Sequence, residues 1–244
     1  PDVSTSVADG TVIDDAFGIA QGDNEPVDAQ VTLNDDKNGF DVIEMKLGKG
    51  ADAEPVAEQA LIALKSLGST QPQDVAITLK DTKPAVTNDI ANQAKATLDN
   101  LVNAKIAITV SDHDIATFDA PAIAAAMSIN PNQQAPLGEG ETRNGYVVFD
   151  ARKMQDYYNA SIKPNLKTQP EDREIIVNGN GDEIGVNVEG HDGVTLDQGA
   201  DTNVGSQAVE ALAEGSGSVQ VKGKVEPMKT KTIKRHVVVD LSDH

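Results

Sequence analysis

The sequence predicts an α+β fold built as two related domains, each a small, mainly antiparallel sheet packed with helices. Three observations predict it. Apolar and polar residues alternate in several short runs, as in half-buried strands. Elsewhere apolar residues recur at three- and four-residue spacing, as on one face of a helix. One helix–turn–strand pattern also occurs twice. At 244 residues, one large domain or two small ones could bury a core.

The elements follow in order. The opening to about Pro26 is acidic and rich in turn formers, and Thr11 to Ala20 reads as a short helix or strand. Gln30 to Leu33 and Asp41 to Leu47 alternate around Asn34-Asp35-Asp36-Lys37-Asn38-Gly39, which predicts a hairpin. Gly50 closes that strand region. Asp52 is placed to cap a helix from about Pro55 with Val56, Ala60, Leu61, Leu64 and Leu67 on one face and Gly68 as its stop. Val75, Ile77 and Leu79 predict a strand that Lys83-Pro84 breaks. Thr87 can cap a helix from Asp89 to Val102, with Ile90, Ala94, Leu98 and Leu101 inward.

Ile106, Ile108 and Val110 predict the next strand, and Asp119 can cap a helix over Pro121 to Ser128. Asn130 to Asn144, with two Pro and two Gly, reads as a loop. Tyr146 to Phe149 predicts a strand, and Asp150 a cap for a helix from Ala151 to about Ile162. Glu174 to Val177 and Glu183 to Glu189 predict a hairpin around Asn178 to Asp182.

Composition removes whole function classes. The chain has no Cys, which excludes disulfides, thiolate metal sites and a cysteine nucleophile. It carries 20 Lys and Arg against 39 Asp and Glu, a formal charge of −19. Such a balance argues against nucleic acid and against an anionic membrane surface. No apolar run approaches the roughly 20 residues of a membrane span, so no direct membrane insertion is expected. Pro1 is followed at once by acidic and polar residues, so no signal peptide is read there, and a start without Met suggests trimming. Aromatics are 3% with no Trp, a poor stock of stacking platforms for sugars or bases.

The repeat runs as follows. Gly50-Ala51-Asp52, Val56, Ala60, Leu64, the strand at Val75 to Leu79, Pro84 and Thr87 match Gly199-Ala200-Asp201, Val204, Ala208, Leu212, the strand at Val219 and Val221, Pro227 and Thr230. Each copy reads as a capped helix, a turn, a strand and a Pro-x-x-Thr exit, with the prolines 143 residues apart. The predicted domains are 1–105 and 106–233, with 234–244 as the start of a further strand.

No arrangement of residues composes an active site. His113, His191, His236 and His244 form no close pair; Asp112-His113-Asp114 and His191-Asp192 read as exposed turn residues before they read as metal ligands. Asn178-Gly179-Asn180-Gly181-Asp182 resembles a calcium loop only until position 6, where Glu183 replaces the required Gly. There is no Gly-x-Ser-x-Gly elbow and no phosphate-binding Gly loop. The sequence predicts no catalytic residue, no metal and no cofactor. All three tyrosines and three of the four arginines fall between Arg143 and Arg173. Arg143, Tyr146, Arg152, Tyr157, Tyr158 and Arg173 are therefore the candidate ligand surface. The alternative is that the tyrosines finish a small core and the arginines pair with surplus carboxylates.

The chain ends in a buried-strand run and Val239-Asp240-Leu241-Ser242. That ending resembles the first strand of the catalytic domain in YkuD-type (ErfK/YbiS/YcfS/YnhG) L,D-transpeptidases. The repeated unit, over Asp52 to Thr87 and Asp201 to Thr230, resembles the YoaR-like peptidoglycan-binding domain that often stands in tandem before it. Ile106 to Asp119 and Gly145 to Tyr158, two strand-to-acid-to-helix entries, are similar to the first half of that domain. The resemblance implies a non-catalytic region of a Gram-positive, extracellular cell-wall enzyme, itself membrane-anchored or secreted. Its partners are then peptidoglycan and its own C-terminal catalytic domain, whose Cys nucleophile lies outside this chain. Two further readings stand beside wall binding: a rigid spacer that positions the catalytic domain, and a complete acidic secreted protein.

Overall fold

A computed structural model describes residues 14–15, 18–19, 21–65 and 76–234. The fold is α+β, with short sheets of two or three mostly antiparallel strands and five α-helices among these residues. The first stretch holds the hairpin β1 (Gln30–Leu33) and β2 (Phe40–Ile43), then β3 (Gly48–Ala51), α1 (Ala53–Lys65) and β4 (Leu79–Thr82). The middle holds α2 (Asn88–Ala104), β5 (Ala107–Val110), β6 (His113–Thr117), α3 (Ala120–Ala126), β7 (Met127–Ile129), β8 (Glu141–Asn144), β9 (Val147–Asp150) and α4 (Ala151–Tyr157). The last holds the hairpin β10 (Arg173–Val177) and β11 (Glu183–Val188), then β12 (Gly193–Leu196), α5 (Val204–Glu214), β13 (Ser218–Gln220), β14 (Gly223–Glu226) and β15 (Thr230–Lys234).

The helix starts follow from side chains that compete for free backbone N–H groups. Thr87 Oγ1 accepts from Ile90 N at 3.4 Å, Asp119 Oδ1 from Ala122 N at 3.0 Å, and Asp150 Oδ1 from Arg152 N at 2.8 Å. Each cap contributes about 1 kcal/mol. On α2 the inward face is Ala91, Ala94, Leu98 and Leu101, all buried.

The internal repeat is present in the hydrogen bonds, in a register the helices alone do not reveal. Val27 exchanges both backbone bonds with Lys46, and Glu171 exchanges the same pair with His191. Asp28 Oδ1 accepts from Val86 N at 2.7 Å while Ala29 N donates to Val86 O. Asp172 Oδ1 accepts from Lys229 N at 3.2 Å while Arg173 N donates to Lys229 O. Strands β3 and β4 pair antiparallel around α1, as β12 and β14 do around α5. Gly48 lies so close to Pro26 that a Cβ would sit 2.6 Å from its ring, and Gly193 stands the same way against Pro170. The two units thus begin at Pro26 and Pro170 and share a frame to Thr87 and Thr230. There they part: Thr87 caps α2, whereas Thr230 opens β15, which lies parallel to β10.

One buried cluster runs from Ala29 and Phe40 through Leu98, Ile108, Phe149 and Tyr158 to Leu212 and Val221. It passes without a break across residue 105, where the sequence reading divides the chain. Two elements of the second unit carry it. Helix α5 packs on α4, β8 and β9, and β13 joins β5 in parallel.

Several expectations need correction. The strand read at Val75 to Leu79 lies at Leu79–Thr82, because its partner is Gly48–Ala51, itself a strand beyond the predicted break at Gly50. The Asn130 to Asn144 loop ends in β8, which pairs with β9. The helix from Pro121 gives way at Met127 to β7, and Gly193–Leu196 is a strand that the sequence reading omits. The helix after Asp150 does span Ala151 to Ile162 as expected, its last turn, Tyr158–Ile162, being π-helical. Gly199-Ala200-Asp201 does not match Gly50-Ala51-Asp52 in place: Asp197 N donates to Lys222 O as Asp52 N donates to Thr78 O, so Asp52 corresponds to Asp197. Asp201 caps no helix, and α5 begins after Asn203 without a side-chain cap. The elements read at Thr11 to Ala20, the helix stop at Gly68, and the strand around Val237 to Val239 lie outside the described residues, wholly or in large part.

Candidate functional site

The six predicted ligand-site residues do not form one surface. Tyr158 is fully buried in the core, where burial first and the Asp201 carboxylate second push its hydroxyl well above the usual phenol range. Tyr146 and Tyr157 are half-buried against the same core. Tyr157 is raised by burial and by the Asp119 charge, with a hydrogen bond to Ser161 acting the other way. Arg143 Nη1 donates to the carbonyls of Gln133 and Ala135, the latter at 3.1 Å, and so staples the loop before β8. Arg173 lies on β10 and meets Glu183 at 3.3 Å and Glu189 at 3.9 Å. Arg152 lines an open cleft.

That cleft, about 350 Å³, lies over the junction of α4 and α5 and is lined by Glu139, Gly140, Ala151, Arg152, Gln155, Thr202 and Ser206. Gln155 spans the junction. Its Nε2 donates to Asp201 O at 2.9 Å and its Oε1 accepts from Gly205 N at 2.8 Å. The helices meet at Gly205, where a Cβ would stand 2.7 Å from Gln155 N. Behind them Lys163 Nζ lies 2.6 Å from Asp201 Oδ2. The Lys163 hydrogen bond holds the Asp201 carboxyl below the usual carboxylate range against the opposing effect of burial. Gln155 thus holds the start of α5 onto α4.

A second cleft differs. It measures about 470 Å³ and lies where the β5–β6 turn faces the chain leaving β13. Its lining is Thr109, Ser111 and Asp112 from one unit, and Asp197, Gln220, Val221, Lys222 and Gly223 from the other. Ser111 and Asp112 form a two-residue turn with φ of 50° and 66°. Both occupy the left-handed region that L-residues with side chains enter at a cost. A third cleft, about 320 Å³, brings together the two histidine–aspartate pairs noted in the sequence: His113 with Asp114, and His191 with Asp192. His191 Nε2 lies 3.5 Å from Glu171 Oε2. Among the described residues no three His, Asp or Glu side chains gather closely enough to hold a metal ion, and no helix is long and apolar enough to cross a membrane.

The sequence reading misses the second cleft for a physical reason. Its two walls lie far apart in the sequence, Thr109 to Asp112 against Asp197 and Gln220 to Gly223, and meet through the parallel pairing of β13 with β5. The one local signal is Ser111-Asp112 between two alternating runs, which marks a tight hairpin turn.

Comparison with family models, with curated proteins and with solved structures finds no match to this chain.

Proposed function

We propose that the chain is a non-catalytic, wall-facing region of a bacterial cell-wall protein. It stands before a catalytic domain of the L,D-transpeptidase type and fixes that domain's distance and orientation. The observation that carries the positioning role is the interlock of the two units: α5 and β13 of the second complete the core of the first. Two units joined by a tether would swing; units that share a core do not. The Val239-Asp240-Leu241-Ser242 ending and the absence of Cys support the rest of the reading.

A second reading, that the region also binds and presents peptidoglycan, is favoured by the open polar clefts. Spin labels on the two hairpin turns, at Asn38 and Asn180, test the first reading. One narrow distance distribution is expected; a broad or bimodal one overturns it. Co-sedimentation with purified peptidoglycan, stripped of anionic polymers and then intact, tests the second. Saturable binding supports it, and no binding at any salt concentration removes it.

A further inference from the structure

We infer that the cleft between the β5–β6 turn and Gln220–Gly223 is a binding site for a short peptide bearing both an amine and a carboxylate. Its class as a wall peptide rests on the presenting role proposed above; its chemistry rests on the cleft alone. The volume, about 470 Å³, falls in the range of small-ligand sites.

The polar side chains here are unspent. Thr109 is only 8% exposed, yet its hydroxyl makes no hydrogen bond to any described residue and lines the cleft. Ser111, Asp112, Asp197, Gln220 and Lys222 also line it, and among the described residues none forms a side-chain hydrogen bond or an ion pair within 4 Å. In the cleft over α4 and α5, Gln155 and Thr202 are committed to backbone partners, while Glu139, Arg152 and Ser206 form no side-chain hydrogen bond or ion pair among the described residues.

The donor set selects the ligand. Asp112 and Asp197 offer two carboxylates to an ammonium, Lys222 offers one cation to a carboxylate, and Thr109, Ser111 and Gln220 suit peptide N–H and C=O groups. No tyrosine lines this cleft, so it lacks the stacking platform that a sugar ring uses. The peptide part of peptidoglycan fits it, and the glycan does not. The turn that carries Ser111 and Asp112 holds both side chains at the rim in a conformation that neither would choose freely.

The test is backbone amide NMR on the whole chain. The probe is the synthetic tetrapeptide L-Ala-γ-D-Glu-L-Lys-D-Ala, compared with its doubly capped form (acetylated amines, amidated carboxyls) and with the N-acetylglucosamine disaccharide. Saturable shifts confined to residues 109–112, 197 and 220–223 are expected for the free peptide. Lys222→Gln and Asp197→Asn should each weaken it at least tenfold, and so should capping. Both residues are exposed, and an unchanged thermal midpoint confirms the fold. Arg152→Gln in the other cleft should leave affinity unchanged. Equal binding of the capped peptide or the disaccharide, or no shift at millimolar peptide, overturns the inference. Wall sedimentation separates the two ideas. Wall binding without peptide shifts here sinks this site and spares the presenting role. Peptide binding without wall binding does the reverse.

Discussion

The two units share one backbone frame and use it oppositely. In the first, hairpin β1–β2 is covered: Val31 and Phe40 lie against α2 and α3, and Phe40 N donates to Asp99 Oδ1 at 3.3 Å. In the second, hairpin β10–β11 carries Arg173 where the first has Ala29, and Glu183 where the first has Phe40. Those two form an ion pair, and Ile184 beside them is 58% exposed. At the start of the helices the contrast runs the other way, with Val204 fully buried and Val56 half-buried. α5 buries Val204, Ala208, Val209 and Leu212 against the first unit. α1 has no buried residue among its described side chains, and Ile62 is 65% exposed. The same hairpin frame thus serves a covered face in one unit and an exposed one in the other. Which face is apolar, and what the chain does after Thr87 or Thr230, decides where each unit contributes.

The comparison breaks most visibly at matched positions. Phe40→Ala should cost about 3–5 kcal/mol, as expected for a fully buried aromatic. Glu183→Ala at the corresponding place should cost under about 1 kcal/mol, the value of an exposed ion pair. Urea denaturation of both variants measures the difference, and equal costs would mean that the hairpins are equally buried.

Gly205→Val probes the seat of α5. The added atoms meet backbone of α4, so a loss of about 3 kcal/mol is expected. A change on the exposed face of α1, Ile62→Ser, should stay within about 0.5 kcal/mol of wild type, because that side chain is already in solvent.

Asp201→Asn gives a pH-dependent result. It should cost about 1–3 kcal/mol at neutral pH by leaving a buried site short of its charged partner. The folded carboxyl titrates below its unfolded value because Lys163 holds it. Its contribution is therefore complete above roughly pH 4 and is lost as pH falls through the folded value. Stability curves of wild type and variant should converge at low pH. Parallel curves would assign Asp201 no ionic role.

Much of this fold is legible in the sequence, and the pattern of misses is physical. Thr87, Asp119 and Asp150 are read as caps because the capping atom lies within three residues of its donor. Gly39 and Asn178 mark hairpins for the same local reason. The misses depend on distant partners. β8 carries Glu-Thr-Arg-Asn, which alternates no apolar residue, and is a strand only because β9 lies beside it. Pro84 and Pro227 match in the register of the exits at Thr87 and Thr230, whereas Gly50-Ala51-Asp52 and Gly199-Ala200-Asp201 match in letters but not in position. Of the candidate site, Arg152 faces a cleft. The tyrosines went to the core because an aromatic-poor chain has few other large side chains to fill it.

Native-state hydrogen exchange at increasing urea tests the shared core most directly. Amides of α2 and β5 in the first unit and of α5 and β13 in the second should exchange through one global opening, with the same free energy and the same urea dependence. If α5 and β13 opened together at a distinctly lower free energy while α2 and β5 stayed protected, the units would be separable bodies and the interlock would be wrong.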